Sequence, residues 1–371
     1  MKILLITDLY PIKKDDSLPF IVRDFAIGLK EMGNEITLIR PNFLLNSFIR
    51  RKKFIKQEEF FENGIKIYNR NFLTPFLFEK KSFLEKLKNE NFDLIISHMP
   101  SGHLYRALIN KTLKLPCVSI IHQSDIWVLK NYKYSFYFRK KLLNALKKAD
   151  LIGLRNPNLK HEKLREDFIL PSFLDKKFLK QKKSFNLDKK MKIITLSQLI
   201  KRKNLNLVIE ALNVINKNKI FDFEYEIYGE GKEKTKLLKL IKKYQLQDKI
   251  KINNKIPRSE IFSKLEKNDV FILPSINETF GLSYLEALFC GLITIGTKNT
   301  GIDGVIKNNE NGFLIDKTNK EEIIKVLEKI SKLDEEEKEK LRENIFNTAQ
   351  KYEKEKIMTK YFENIKKILW K

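Results

Sequence analysis

Short apolar runs alternate along the chain with segments whose apolar positions recur every three or four residues. The runs at 2–7, 35–40, 65–68, 93–97, 117–121, 151–154 and 168–170 predict strands, and the stretches 19–32, 79–89, 102–113 and 133–148 predict helices between them. Gly33 falls where the first helix must stop, as a helix C-terminal glycine does. A lysine-rich polar stretch, 175–190, has no apolar period and reads as a linker. The alternation then restarts, with strands at 192–196, 224–228, 249–252, 270–273, 293–296 and 312–315 and helices at 204–216, 232–244, 259–265 and 282–289. Residues 320–371 are helical in period throughout. Strands apolar on both faces and separated by helices build parallel sheets covered on both sides. The expected fold class is α/β: two doubly wound parallel-sheet, Rossmann-like domains facing a central cleft, the first over 1–175 and the second over 176–351.

Composition narrows the picture. At 371 residues, the length suits two domains. No apolar run approaches the roughly 20 residues that span a bilayer. Cys117 and Cys290 are too few for a disulfide framework or a thiolate metal site, and are expected as small buried residues. The opening, 1–8, is too short and too soon acidic for a signal peptide, so a cytoplasmic protein is expected. The net charge of +26 is spread evenly: residues 1–175 carry 31 basic and 19 acidic side chains, residues 176–371 carry 42 and 28. Such a field favours anionic partners, whether nucleotides, nucleic acid or a membrane surface. A coding bias towards Lys, Asn, Ile and Phe explains it equally well.

Chemistry concentrates at 274–287. A strand ends at Pro274, a loop carries Glu278 and Gly281, and a helix begins near Leu282. The first N–H groups of that helix lack intrahelical partners and sit at the positive end of its dipole, which suits a phosphate. Gly281 lets a ligand approach the backbone, and Glu286, about one turn on, can accept from ribose hydroxyls. Two surface glutamates flanking an ordinary helix start are the plainer alternative. No Asp-x-Asp, Gly-x-Ser-x-Gly or Gly-x4-Gly-Lys-Ser/Thr occurs, which disfavours metal-held diphosphate, hydrolase and P-loop readings.

Glu278-x7-Glu286, with Phe280-Gly281-Leu282 between and Ala287 after, resembles the signature of retaining glycosyltransferases of family 4, which have the two-domain GT-B fold. Other pieces agree. Residues 196–204, ending in Lys203-Asn204, are similar to the family's loop after the first strand of the second domain. Tyr228-Gly229-Glu230-Gly231 matches its Gly-x-Gly, and Phe289-Cys290-Gly291 and Asn311-Gly312-Phe313-Leu314 match later landmarks. The resemblance implies that Lys203 contacts the donor diphosphate, Glu286 the ribose, Glu278 the sugar hydroxyls, and the backbone from Phe280 through Gly281 to Leu282 the sugar and phosphate. Gly231 and Gln198 belong to the same donor set, although Gln198 stands where the family has arginine. Arg202 could substitute, but its place next to Lys203 predicts that it points elsewhere. Ser197 replaces a glycine and Ile293 a proline.

In the first domain, Ile121-His122-Gln123-Ser124-Asp125 resembles the family's His-Gly-Ser-Asp, whose histidine lies against the donor sugar. His122 and Glu278 are therefore the catalytic candidates. Asp125 is placed on the acceptor side, where it either orients His122 or begins the next segment. The loop 10–19, with Asp16 and Ser17, is expected to help choose the acceptor. His98 and His103 show no metal-ligand spacing and read as structural or acceptor-side. The resemblance further implies a metal-independent reaction that needs no cofactor. A sugar would pass with retention from a nucleotide diphosphate sugar, UDP-linked by preference, to a glycan or lipid-linked glycan of surface polysaccharide or lipopolysaccharide assembly. The segment 352–371, including Trp370, would cross back to the first domain.

Two stretches, 43–56 and 132–148, mix aromatic or apolar with basic residues and would suit an anionic membrane surface, although ordinary amphipathic helices in a lysine-rich chain look the same. Peripheral association with the inner face of the cytoplasmic membrane is expected on that basis, and nucleic acid is not an expected partner. The alternatives are a nucleotide-sugar epimerase or phosphorylase of the same fold, an inactive paralogue, and a non-catalytic basic protein that binds nucleic acid or a membrane. The last would show a concentrated basic patch with stacking motifs.

Overall fold

The computed structural model describes residues 1–10, 21–43, 58–72, 79–187, 189–316 and 319–369. They form two compact units, Met1–Pro171 with Ile357–Lys371, and Ser172–Lys356.

The first unit holds strands β1 (Lys2–Ile6), β2 (Glu35–Phe43), β3 (Glu59–Glu62), β4 (Ile65–Phe72), β5 (Leu94–His98), β6 (Cys117–Ile121), β7 (Leu151–Leu154) and β8 (Phe168–Ile169). Their order in one sheet is β3-β4-β2-β1-β5-β6-β7-β8. All pairs are parallel except β3 with β4, a hairpin closed by Asn63 and Gly64, both at positive φ. In β1, Ile3, Leu4, Leu5 and Ile6 are all fully buried, because helices cover both faces. Gly33, at φ +82°, ends the helix Ile21–Glu31. The helix Lys354–Leu369 supplies Tyr361, whose ring packs edge-on against Phe25 at 4.7 Å and tilts over Phe168 at 5.6 Å.

The second unit holds β9 (Met191–Leu196), β10 (Phe223–Tyr228), β11 (Ile250–Asn253), β12 (Val270–Ile272), β13 (Ile293–Thr297) and β14 (Phe313–Ile315). All are parallel, in the order β11-β10-β9-β12-β13-β14. This is the doubly wound order 3-2-1-4-5-6, whose direction reverses between β9 and β12, and ligands of such sheets bind beyond the carboxyl ends of the strands at that switch point. In the first unit the reversal lies between β1 and β5.

One expectation needs correction, and two regions gain detail. The stretch 175–190 is not a linker over its described residues: Phe185 and Leu187 are buried in the core of the second unit, and the ring of Phe178 stacks on Phe262 at 3.9 Å. Its apolar residues are few but each has a core site, so no period shows. The region after 320 is three helices, Lys320–Ser331, Glu335–Gln350 and Lys354–Leu369. Asp334 starts the second by a capping box, accepting from Glu337 N at 2.8 Å while Glu337 accepts from Asp334 N at 3.1 Å. Finally, 123–130 is helical (Gln123–Lys130), ahead of the helix Phe136–Lys147. Asp16, Ser17, Trp370 and almost all of 43–56 lie outside the described residues.

Candidate active site

In the second unit the loops after β9 and β12 meet at the switch point. Ile276 N donates to Arg202 O at 2.8 Å, and Ser275 Oγ to the same carbonyl at 3.2 Å, so the backbones of the two loops are tied together. Three donors then converge on one oxygen of Glu278. Lys203 Nζ pairs with Oε1, Arg202 NH1 lies 3.2 Å from it, and Ser275 Oγ donates to it at 2.8 Å. Arg202 NH1 also donates to Asn277 O at 2.8 Å. The side chains of Lys203 and Glu278 are each 10% exposed, so the pair is largely withdrawn from water. Burial pulls the Lys203 ammonium below its ordinary value, and Glu278 pulls it the other way.

Glycines make this close packing feasible. A Cβ on Gly229 would sit on the carbonyl oxygen of Ser197, one on Gly231 on that of Leu199, and one on Gly301 on that of Thr279. Ser197 N donates to Tyr228 O at 3.1 Å and Leu199 N to Glu230 O at 2.8 Å, so the Gly-x-Gly turn after β10 is laced to the loop after β9. Gly281, at φ +79°, caps the helix Leu282–Phe289, and Tyr284 N donates to its carbonyl at 3.0 Å. The first N–H groups of that helix therefore open beside the Glu278 loop, whose Glu278 carbonyl accepts from Gly301 N at 3.0 Å. Phe280 is buried, with its ring edge-on to Tyr352 at 5.9 Å. Glu286 is 5% exposed, on the same helix. Leu282 is half-buried, and Gln198 is exposed at the start of the β9 loop.

Arg202 does not point elsewhere: it shares the Glu278 carboxylate with Lys203. The turn Lys201–Lys203 is a single 3-10 turn, which brings the side chains at 202 and 203 to the same loop. Adjacency to Lys203 in the sequence gives the wrong direction for Arg202, and Ser275 carried no signal beyond its place after a strand.

In the first unit, His122 follows β6 and is 6% exposed. Its Nε2 lies 3.1 Å from Nδ1 of His98, the last residue of β5. Burial, then the neighbouring histidine and Arg155, hold the pKa of His122 well below 6.5; burial and Arg155 do the same for His98. Both rings are therefore neutral at pH 7, one donating and one accepting in their shared hydrogen bond. The ring of Phe25 packs edge-on to His98 at 5.4 Å. His98 is thus the partner of His122, a role that spacing in the chain does not reveal because 24 residues separate them.

Asp125 is fully buried, and its Oδ2 accepts from His122 N at 2.8 Å. It is the third residue of the helix Gln123–Lys130 and holds the backbone of His122, which caps that helix. The His122 side chain in turn accepts from the Asp125 backbone N–H, so the two residues form a capping box in which Asp125 orients His122. Beneath it, His103 Nε2 is 3.5 Å from Asp125 Oδ1, and His103 Nδ1 is 2.9 Å from Ser97 Oγ. His103 is a fully buried structural residue. Among the described residues no group of three or more His, Cys, Asp or Glu side chains is placed to hold a metal ion.

Both units carry the parallel α/β architecture of the GT-B glycosyltransferases, and residues 175–351 match the family model of glycosyl transferases group 1. The chain is 26% identical over 274 residues to an uncharacterized glycosyltransferase of Methanocaldococcus jannaschii, covering 73% of this chain and 74% of that one. It is 29% identical over 150 residues to a putative colanic acid biosynthesis glycosyltransferase of Salmonella typhimurium. That match covers 39% of this chain and 37% of the relative, so it spans little more than a third of the relative's length. Among solved structures, the Anabaena protein HepE in complex with UDP superposes with a TM-score of 0.75 at 15% identity, covering 99% of this chain and all of that one.

Proposed function

We propose that the chain is a retaining, metal-independent glycosyltransferase that moves a sugar from a nucleotide diphosphate sugar to a hydroxyl of a growing glycan. The observation that carries this reading is the convergence of Lys203, Arg202 and Ser275 on Glu278 at the switch point, beside an open helix N-terminus. Cations and helix N–H groups together suit a diphosphate leaving group, and a partly buried carboxylate suits sugar hydroxyls. Arg202 supplies the second cation that Gln198 lacks. His122, neutral, held by His98 at Nε2 and by the Asp125 backbone N–H in a capping box, would lie against the sugar without adding charge. Glu286 would hold the ribose.

In the reaction, the bond from the anomeric carbon to the leaving phosphate breaks while the acceptor oxygen bonds the same face. The acceptor proton passes to the leaving phosphate. The protein's share is orientation and stabilisation of the diphosphate charge. The UDP complex of a structural neighbour and the colanic acid role in the name of a relative favour a UDP-linked donor and a glycan acceptor.

The test is thermal unfolding of wild type and Glu286→Gln against a panel of nucleotide diphosphates and nucleotide sugars, with and without chelator. Binding raises the melting temperature by mass action. A rise with one nucleotide class, unchanged by chelator and lost in the variant, supports the reading; no rise with any nucleotide overturns it. The sugar giving the largest rise then enters an acceptor assay in which product anomeric configuration is read by NMR.

A further inference from the structure

The helices Gln123–Lys130 and Phe136–Lys147, with the turn between them, carry a surface that sugar transfer leaves unused. Residues 126–149 contain seven Lys or Arg, six aromatic residues and no Asp or Glu. Large apolar side chains left open to water are few among the described residues, and four of them stand here: Tyr132 at 88%, Phe136 at 72%, Tyr137 at 56% and Trp127 at 49%.

The local fold imposes this exposure. Ser135 caps the second helix, its Oγ accepting from Phe138 N at 3.2 Å, and Leu142, Ala145 and Leu146 form the buried face. Phe136 and Tyr137 in the first turn and Lys140, Asn144 and Lys147 further along are left on the outside. The cations lie against the rings: the Arg139 guanidinium is 5.1 Å from the Tyr132 ring and the Lys141 ammonium 4.6 Å from the Tyr137 ring. Alongside runs a cleft of about 960 Å³, walled by Lys130, Tyr132, Arg139, Lys140, Lys147 and the single carboxylate of Glu162.

The geometry points to this face as a docking surface for an anionic lipid bilayer, with Phe136, Tyr137, Tyr132 and Trp127 at headgroup depth and the lysines on lipid phosphates. Aromatic rings with one wet and one apolar side, ringed by Lys and Arg, match the interfacial layer of a membrane in both polarity and charge. Single-stranded nucleic acid fits less well, because it needs open ring faces for base stacking. Here cations already cover Tyr132 and Tyr137. No helix among the described residues is long and apolar enough to cross a membrane, so the contact is interfacial. It stands whether or not the chain transfers sugar.

The test uses the full chain carrying Trp370→Phe, so that Trp127 is the one remaining tryptophan. Sedimentation is measured with vesicles of phosphatidylcholine alone and with 30 mol% phosphatidylglycerol (about one lipid in three). Trp127 fluorescence is followed with acyl-brominated lipid. Binding is expected to the anionic vesicles only, weakened by salt, with Trp127 quenched by the bromines. Lys140→Gln with Lys147→Gln should weaken partition about 25-fold, about fivefold for each charge removed. Phe136→Ser with Tyr137→Ser should remove quenching while leaving circular dichroism unchanged. Lys239→Gln with Lys242→Gln, which removes the same charge from an exposed helix of the other unit, should change little. Equal losses in the two lysine pairs would show that diffuse charge does the binding and overturn the proposal. So would absent quenching, or binding of a single-stranded oligonucleotide through Phe136 and Tyr137 with none to vesicles.

Discussion

The Lys203–Glu278 pair can be taken apart by a double-mutant cycle whose terms follow from its neighbours. When Lys203→Met removes the ammonium, the carboxylate keeps Arg202 at 3.2 Å and Ser275 at 2.8 Å. The cost should therefore fall below the roughly 3–5 kcal/mol of leaving a buried charge alone, at about 1–2 kcal/mol. Glu278→Gln is worse, because it leaves a buried ammonium beside a guanidinium with no counter-charge, at about 3 kcal/mol. The double variant buries neither charge of the pair, so its cost should fall short of the sum by about 1–3 kcal/mol. Urea unfolding followed by circular dichroism reads all four corners, and additive costs would refute the coupling. The same variants separate roles. UDP at a hundred times its dissociation constant adds about 2.7 kcal/mol, or about 5–10 °C of melting temperature for a unit of this size. Lys203→Met should lose most of that rise. Glu278→Gln should keep the rise with UDP and lose the extra rise given by the matching nucleotide sugar. An undiminished UDP rise in Lys203→Met would refute the assignment of Lys203 to the diphosphate.

Gly229→Ala should cost about 1–3 kcal/mol and abolish nucleotide binding, since its Cβ would displace the Ser197 carbonyl and with it the loop carrying Lys203; melting with and without UDP checks both. Phe185→Ala should cost about 3–5 kcal/mol in urea unfolding, because 175–187 belongs to the core of the second unit, whereas a free linker would lose almost nothing. Stability should also fall with acid. His98 and His122 titrate well below 6.5 when folded, so between that lowered value and 6.5 the unfolded chain binds more protons and stability rises with pH. By pH 5 each histidine removes at most about 2 kcal/mol, and His98→Asn with His122→Asn should flatten the urea midpoint between pH 5 and 7.

Strands such as Cys117–Ile121 and Leu151–Leu154 were legible to the residue, because parallel strands buried on both faces are short unbroken apolar runs. β3 was not read, since Glu59-Phe60-Phe61-Glu62 is an edge strand with charged ends. Its Asn63-Gly64 turn was nevertheless a hairpin signal in plain view. The helix Gln123–Lys130 escaped because eight residues give too little period to see. The stretch 278–286 was legible as a candidate site because the glycine and both glutamates lie on one loop and helix. The partners that give the site its electrostatics come from other loops: Arg202 and Ser275 reach Glu278, and His98 reaches His122, through folding alone.

All three donors on Glu278 settle on Oε1, and Oε2 takes none of these bonds. The carboxylate is therefore one-handed: one oxygen is an anchor and the other is the face it shows. A group held this way cannot turn to suit its guest, so the guest must bring a hydroxyl to a fixed point in a fixed direction. A deoxy or O-methyl analogue has no proton to offer there and leaves that oxygen unmatched. Discrimination of this kind needs no closing pocket wall. On the proposed reading it is built from the stiffness of a single side chain, set by Lys203, Arg202 and Ser275.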